Sequence, residues 1–540
     1  MNSHNETMKT VLTSEMRELD RKTIEDFHVP GEVLMDRAGD GVAHIVELLI
    51  DRYEGDNLSV LLIAGRGNNG GDAFVAARYL NERGYDANVW IAGKASDITG
   101  DARIHLDKMN AAGISLKELS AIEDWQYLIK QHGGMNSTSA CIIVDALLGT
   151  GIKGAARGAV AEAIRFINMM SRENQVVSID VPSGLNSDTG QAEGDAVSAD
   201  VTLTMGLPKR GLVQPCAANF VGRIEVMDIG IPHALVSEIE SDVELITPID
   251  LCRFIPRRPR DAHKGNYGHV LMFGGAAGYA GAITMAARAA VRSGAGLVTV
   301  VVPRDIAPVV AGAVPEAMVH GVSETETSSL SSDCWSVWSE RLNDFTAVLC
   351  GPGMTRHNET EKLVRQILDK STVPLVMDAD ALNVFEGNLD DLGSNERRAC
   401  PLVVTPHPGE MGRLMSSPTS KIQADRFASA KECASRTHAV VVLKGVGTLV
   451  VEGGKPLNVN MTGNPGMATG GTGDVLSGLL AGLLAQGLKP FDAARAAVYI
   501  HGKAGDMAAS EKTEYSMTAC DVIESIPYAF KNVLPRQMAL

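Results

Sequence analysis

Short runs of valine, leucine and isoleucine recur along this chain, and many of them close on clusters of glycine and Asx residues. The clearest is Leu58-Ser-Val-Leu-Leu-Ile-Ala64, which leads into Gly65-Arg-Gly-Asn-Asn-Gly-Gly-Asp72 and then a helical stretch over 73–83. An apolar run of that length between turn residues reads as a strand buried on both faces. Such strands alternating with helices make a mostly parallel sheet, so the class is α/β. The first half opens with an amphipathic helix pair over 13–52, and further strands fall near 88–92, 141–145, 175–179 and 200–205. The pattern weakens around 228–269, where Ile255-Pro-Arg-Arg-Pro-Arg260 reads as a connector. It restarts with a strand at 268–273, a glycine loop at 274–281 and a helix to about 293. Strands follow at 297–302, 347–350, 375–377, 402–405, 439–443 and 448–451, and helices fill the chain from 475 onward. At 540 residues the chain exceeds one ordinary domain. The break predicts two, over 1–240 and 241–540.

Composition removes several classes. A formal charge of −16 and an isoelectric point near 5.3 argue against nucleic-acid and anionic-membrane partners. The eight cysteines lack CxxC spacing and read as thiols of a reducing compartment, not a disulfide or zinc framework. The polar N-terminus has no signal-peptide core, and the longest apolar run, 282–302, is broken by Arg288 and Arg292. A cytoplasmic protein is expected.

Ligands of open α/β sheets bind at the carboxyl ends of the strands. In the first half that rule selects Asn68-Asn-Gly-Gly-Asp72, Asp145-Ala-Leu-Leu-Gly-Thr-Gly151 and Asp180-Val-Pro-Ser183. Gly65, Gly67 and Gly70 satisfy the spacing of a dinucleotide fingerprint, but Lys94 and Ala95 follow the next strand where a ribose-binding carboxylate belongs. Asn69, Asp145 and Ser183 could instead supply oxygen ligands to a monovalent cation, with Asp180 doing proton chemistry. Turn or cap roles explain any one of these residues alone.

In the second half the same rule selects His263-Lys-Gly265, Gly351-Pro-Gly353, Asp378-Ala-Asp380, Pro406-His-Pro-Gly-Glu410 and Lys444-Gly-Val-Gly-Thr448. To these it adds Asn464-Pro-Gly-Met-Ala-Thr-Gly-Gly-Thr-Gly-Asp474, which opens into a helix. A glycine loop at a helix start is an anion site. Asp474 would repel that anion, which suits a base taking a proton from a hydroxyl about to meet a phosphate; a plain helix cap is the competing role. Lys444 could meet phosphate charge. His407, stiffened by flanking prolines, could hold a substrate group. Asp378 and Asp380 could bind Mg²⁺ through water, or simply form a strand-end turn.

Taken together, Asn68–Asp72, 145–151, 180–185, 263–265, 278–282, 406–410 and 463–478 make the chain resemble the bifunctional NAD(P)H-hydrate repair enzymes over nearly its full length. The resemblance implies a Rossmann-like, three-layer NAD(P)HX epimerase domain fused to a ribokinase-like NAD(P)HX dehydratase domain. It implies that Asn68, Asn69, Gly70, Gly71, Asp72, Gly149, Thr150, Gly151, Ile152, Lys153, Gly154, Ala155 and Asp180 bind the hydrated cofactor. Asn69, Asp145 and Ser183 would bind K⁺, with Asp180 the acid/base. In the dehydratase, Ala282, Gly353, His407 and Asp474 would contact substrate, Asp474 as base. Lys444, Gly445, Val446, Gly447, Thr448 and Gly473 would hold ADP or ATP, accompanied by Mg²⁺. Ala73 departs from the family loop, where glycine is usual. The partners expected are NADHX, NADPHX and adenine nucleotide, in a homo-oligomer. The rival reading is a ribokinase-like small-molecule kinase fused to a non-catalytic binding domain.

Overall fold

The computed structural model describes residues 7–51, 59–132, 141–151, 154–393 and 400–534, and divides the chain into two units, Met1–Ser241 and Asp242–Leu540. In the first unit, among the described residues, seven strands form one sheet: β1 (Ser59–Ala64), β2 (Ala87–Ile91), β3 (Leu116–Glu118), β4 (Cys141–Ala146), β5 (Gln175–Ile179), β6 (Val201–Met205) and β7 (Arg223–Met227). They lie in the order β3-β2-β1-β4-β5-β6-β7, every pair parallel. This is the strand order of dinucleotide-binding sheets, extended by one edge strand.

Strand side chains alternate between faces, so each buried strand feeds two cores. Val60, Leu62, Ile142 and Val144 join one core. Its helices are α1 (Thr13–Glu25), α2 (Gly31–Ile50), α3 (Asn68–Glu82) and α4 (Gly100–Ala111). Ile63, Ile143 and Val176 join the other core with Trp125 and Phe166, from α5 (Ile122–His132) and α6 (Gly158–Met170). The result is three layers.

The second unit holds β8 (Val243–Leu245), β9 (His269–Phe273), β10 (Leu297–Pro303), β11 (Met318–Val322), β12 (Ala347–Cys350), β13 (Leu375–Met377) and β14 (Leu402–Val404), then β15 (Val440–Leu443), β16 (Thr448–Val451) and β17 (Leu457–Asn460). Their order is β8-β17-β16-β15-β14-β13-β12-β9-β10-β11. The sheet is parallel from β11 to β15, and β15-β16-β17 is an antiparallel meander. One face packs on α7 (Ala280–Arg292), α8 (Thr472–Ala485), α9 (Pro490–Lys512) and α10 (Ala519–Val533). On the other face Phe273 meets Trp335 and Trp338, at ring-centroid distances of 6.1 and 6.4 Å.

The apolar runs became strands close to their expected limits, and 255–260 is irregular. Two helix starts differ. α3 begins at Asn68, not residue 73, and α8 at Thr472, not residue 475, so both motif loops run into the first helical turn. Both shifts follow from free amides that accept no side-chain cap, which let the helix extend back to a glycine. Five of the strands above escaped the sequence reading. β3, β7 and β11 are sheet edges whose side chains are mostly half-buried or exposed, β8 is three residues long, and the buried β17 alternates Leu-Asn-Val-Asn instead of running apolar. No disulfide joins the described cysteines. No helix among the described residues is long and apolar enough to cross a membrane.

α7 and α8 pack through small residues. A Cβ on Gly478 would stand 2.0 Å from the Ala286 carbonyl oxygen, and one on Gly482 would stand 2.0 Å from Ser293 Oγ. Gly478→Val forces these helices apart. A loss of about 2–3 kcal/mol is expected in the second unit's unfolding transition, measured by denaturant titration.

Candidate active sites

The carboxyl ends of β1, β4 and β5 open into a cavity of about 610 Å³ in the first unit. Strand register places Asp145 beside Ser178, whose Oγ donates to Asp145 Oδ2 at 2.8 Å. The Asp145 carboxylate also accepts from Ser183 N (2.9 Å), Ser183 Oγ (2.6 Å) and Leu147 N (3.3 Å). Burial raises its pKa despite these donors. Ser183 Oγ in turn accepts from Leu148 N at 2.9 Å. Asn69, in the first turn of α3, donates to the carbonyls of Leu148 (2.9 Å) and Ile179 (3.1 Å). That fixes its amide, and its Oδ1 is buried with no hydrogen-bond partner among the described residues. Asn69, Asp145 and Ser183 therefore converge around Leu148, as a small oxygen-ligand site requires.

Asp180 ends β5 in the left-handed backbone region, at φ +66°, which a non-glycine residue holds only when its surroundings dictate it. The Asp180 amide donates to the Leu203 carbonyl at 2.7 Å, and the side chain is held by the Met205 amide at 3.3 Å and by Lys209. This fully buried ammonium donates to Asp180 Oδ1 (2.5 Å), the Met205 carbonyl (2.8 Å) and Thr204 Oγ1 (3.2 Å). Asp72 lies on the first turns of α3, facing the same cavity. Burial, reinforced by the charges of Asp180 and Asp20, lifts its carboxyl well above the usual range. Asp20 also lines the cavity, from α1. Gly149, Thr150 and Gly151 form its rim, and Gly149 stands near both Asn69 and Asp180. Gly154 and Ala155 follow the rim; Ile152 and Lys153 lie outside the described residues.

In the second unit Asp474 is the third residue of α8, and Gly471, at φ +96°, is the N-cap. The capping role is thereby excluded. Among the described residues no hydrogen bond reaches the Asp474 carboxylate. Burial, then the nearby charge of Asp378, lifts its pKa to about 7 against the pull of Lys444.

Lys444 Nζ bonds Asp378 Oδ1 at 2.8 Å and lies 3.7 Å from Glu410 Oε2. Burial opposes its charge, but the two carboxylates outweigh burial and raise its pKa. It stands 3.4 Å from where a Cβ on Gly473 would project, at the start of α8. Lys444 thus joins the carboxylate cluster beside Asp474. The turn that follows, with Gly445 and Gly447 at positive φ and Val446 62% exposed, is braced from below by Arg426. That buried guanidinium donates to the carbonyls of Leu443 (3.0 Å), Lys444 (3.2 Å) and Val446, and burial pulls its pKa down to about 10. Thr448 Oγ1 closes the turn on the Gly445 carbonyl at 2.9 Å.

His407 is a helix cap. Its Nδ1 accepts from the Gly409 and Glu410 amides at 3.0 and 3.4 Å, while Glu410 Oε2 accepts from the His407 amide at 2.7 Å. Burial lowers its pKa, which suits a neutral ring with the proton on Nε2. Ala282 and Gly353 meet, since a Cβ on Gly353 would lie 3.2 Å from Ala282 Cβ. Asp380 accepts from the Thr355 amide (2.9 Å), and Asp378 is held by Lys444. His263–Gly265 precedes β9 and so falls at the sheet's amino end, away from these loops. Sequence reading missed Asp20, Lys209, Glu410 as a partner of Lys444, and Arg426. Asp20 and Arg426 lie on helices, Lys209 sits four residues beyond its strand, and Glu410 was seen only as part of a motif.

Residues 270–528 match the family described as NAD(P)H-hydrate dehydratase, and residues 31–211 match the one described as YjeF-related protein N-terminus. Over 528 residues the chain is 41% identical to the bifunctional NAD(P)H-hydrate repair enzyme of Moorella thermoacetica, covering 97% of each. The chain belongs to the bifunctional NAD(P)H-hydrate repair enzymes. The Coxiella burnetii repair enzyme is 36% identical over 508 residues, 94% of this chain and 96% of its own. Among solved structures, the ADP/ATP-dependent NAD(P)H-hydrate dehydratase of Bacillus subtilis is similar at 27% identity and TM-score 0.46, covering 54% of this chain and 98% of that one. The repair enzyme's two activities are the epimerisation and the dehydration of hydrated NADH and NADPH, and the rival kinase reading gives way to it.

Lys209→Met leaves the half-buried Asp180 without its counter-charge. At pH 8 the first unit's unfolding free energy is expected to fall by about 3–5 kcal/mol. Urea titration of the variant against wild type checks it.

Proposed function

We propose that the dehydratase chemistry turns on Asp474, and that residues 241–540 carry it while residues 1–240 carry the epimerase. The observation behind this is a carboxylate in the first turn of α8 that neither caps the helix nor bonds a neighbour, with a pKa lifted to about 7. A base poised near neutrality is what proton abstraction from a hydroxyl needs. Asp474 takes the proton of the C6 hydroxyl on the hydrated nicotinamide ring as that oxygen attacks the terminal phosphate of ADP or ATP. The free amides at the start of α8, with the helix dipole, stabilise the charge that develops. Phosphate then leaves C6 as the ring nitrogen lone pair forms a C6=N iminium, and loss of a proton from C5 to solvent restores the C5=C6 double bond. Ala282, Gly353 and His407 contact the nicotinamide substrate, the His407 Nε2–H as a donor. Gly473 and the 444–448 turn hold the nucleotide, with the exposed Val446 offering an apolar surface to its base and Lys444 tuning Asp474. Mg²⁺ accompanies the nucleotide as its counter-ion.

In the epimerase, residues 68–72, 149–155 and Asp180 bind the hydrated cofactor, and Asp180 moves protons at C6. The residues present fit a K⁺ ion: one amide oxygen without a partner, one hydroxyl and one carboxylate. Asn69, Asp145 and Ser183 would hold it, where it would supply positive charge beside the substrate loops. The enzyme works in the cytoplasm as a homo-oligomer.

Mixed NADHX epimers with ADP or ATP, followed by recovery of reduced-nicotinamide absorbance, test the scheme. Wild-type dehydration should rise tenfold per pH unit below about 7 and level off above it, because the base must be ionised. Asp474→Asn should lower turnover at least about 100-fold while epimerisation continues; undiminished NADH recovery would remove Asp474 as the base. Asn69→Ala should abolish any dependence of epimerisation on K⁺, read by replacing K⁺ with Na⁺ in the assay.

A further inference from the structure

Epimerisation at C6 has a requirement that one carboxylate meets poorly. The hydroxyl must leave one face of the ring with a proton, and water must arrive on the other face and lose one. Two groups on opposite sides do this without moving. The first unit supplies a candidate for the second group on α1. Met16, Arg17, Asp20 and Ile24 all line the cavity, and their spacing makes them one face of that helix. The helix is held in place at its amino end. The Thr13 amide and Oγ1 donate to Asp188 Oδ1 at 2.7 and 2.8 Å, and Thr13 Oγ1 meets Ser187 Oγ at 2.7 Å. Arg17 reaches the Thr150 carbonyl on the cavity rim at 3.5 Å. α1 thus carries Asp20 to the cavity from an element separate from β5, which carries Asp180.

We propose that Asp20 is a second catalytic proton carrier of the epimerase, working with Asp180 across the substrate ring. This rests on the assignment of Asp180 above. The step balances as follows. The ring nitrogen lone pair forms a C6=N iminium while the C6–O bond breaks, and the departing oxygen takes the Asp20 proton and leaves as water. A water molecule then adds to C6 from the opposite face and gives its proton to the Asp180 carboxylate. One water leaves and one enters, and a proton has passed from Asp20 to Asp180; the reverse epimerisation runs it back.

The charges around the cavity support this division of labour. Asp20 faces Asp180, Asp72 and Lys209, with Arg17, Arg66 and Asp101 also on the cavity wall. Lys209 gives its direct contact to Asp180. Asp20 lacks such a partner, and burial raises its pKa to about 6 against the pull of Lys209. Two carboxyls with environments this different are suited to hold one proton between them.

The test is epimerisation of purified R-NADHX by the full chain in H₂¹⁸O, across pH 5 to 9. Wild-type kcat/KM should fall as pH rises through about 6, because Asp20 must be protonated, and the S product should carry ¹⁸O at C6. Asp20→Asn should lower kcat about 100-fold with KM little changed and should lose that limb, whereas Asp20→Glu restores both rate and limb. The first unit's urea-unfolding transition in the same variants reports on its fold. An Asp20→Asn rate within twofold of wild type, a retained limb, or a change in KM alone overturns the proposal. So does failure of Asp20→Glu to restore a rate lost by Asp20→Asn. Failure of Asp180→Ala to slow epimerisation would instead overturn the assignment beneath it.

Discussion

Each unit of this enzyme sets one buried ammonium among more carboxyl groups than it can neutralise. Lys209 faces Asp180, Asp72 and Asp20; Lys444 faces Asp378, Glu410 and Asp474. In a low-dielectric interior that imbalance has a definite outcome. A buried carboxyl that the ammonium does not contact has its pKa raised by the loss of water around it. Among the described residues Asp474, Asp20 and Asp72 make no hydrogen bond to the ammonium. Burial is the main cause of their raised pKa values, and the ammonium in each unit acts against it.

The glycine loops complete the arrangement. At the start of α8 the helix dipole and free amides prefer an anion, yet Asp474 occupies that turn. It fits because Lys444 lies beside the same turn and because the carboxyl can take a proton when no substrate needs it. On the epimerase side the first turn of α3 carries Asn69 and Asp72 toward the cavity. One of these presents an oxygen without a partner, the other a carboxyl that burial disfavours as an ion.

Much of this was legible in the residues. Buried strands announce themselves as unbroken apolar runs, and the turns that follow them carried Asn69, Asp145, Asp180, Asp378 and Lys444. Edge strands such as Met318–Val322 did not, since exposed side chains need not be apolar. Asp20 was invisible for a different reason. On an amphipathic helix a lone carboxylate looks like any solvated residue, and only the packing of α1 over the sheet ends turns it toward a cavity. Lys209 was hidden likewise, because a lysine after a strand reads as surface until its three acceptors are seen. His407 shows the converse: the flanking prolines signalled an extended, stiff backbone, which it has, but its ring is fixed as the cap of a helix start.

The contact between α7 and α8 has a consequence for how the dehydratase can adapt to its ligands. Ala282 sits in the first turn of α7 and Asp474 in the first turn of α8, and the two helices touch backbone to backbone where Gly478 meets Ala286. With no side chain between them to flex, the pair behaves like the fixed jaw of a caliper. The 444–448 turn, by contrast, is held through a side chain, since Arg426 bonds the carbonyls of Leu443, Lys444 and Val446.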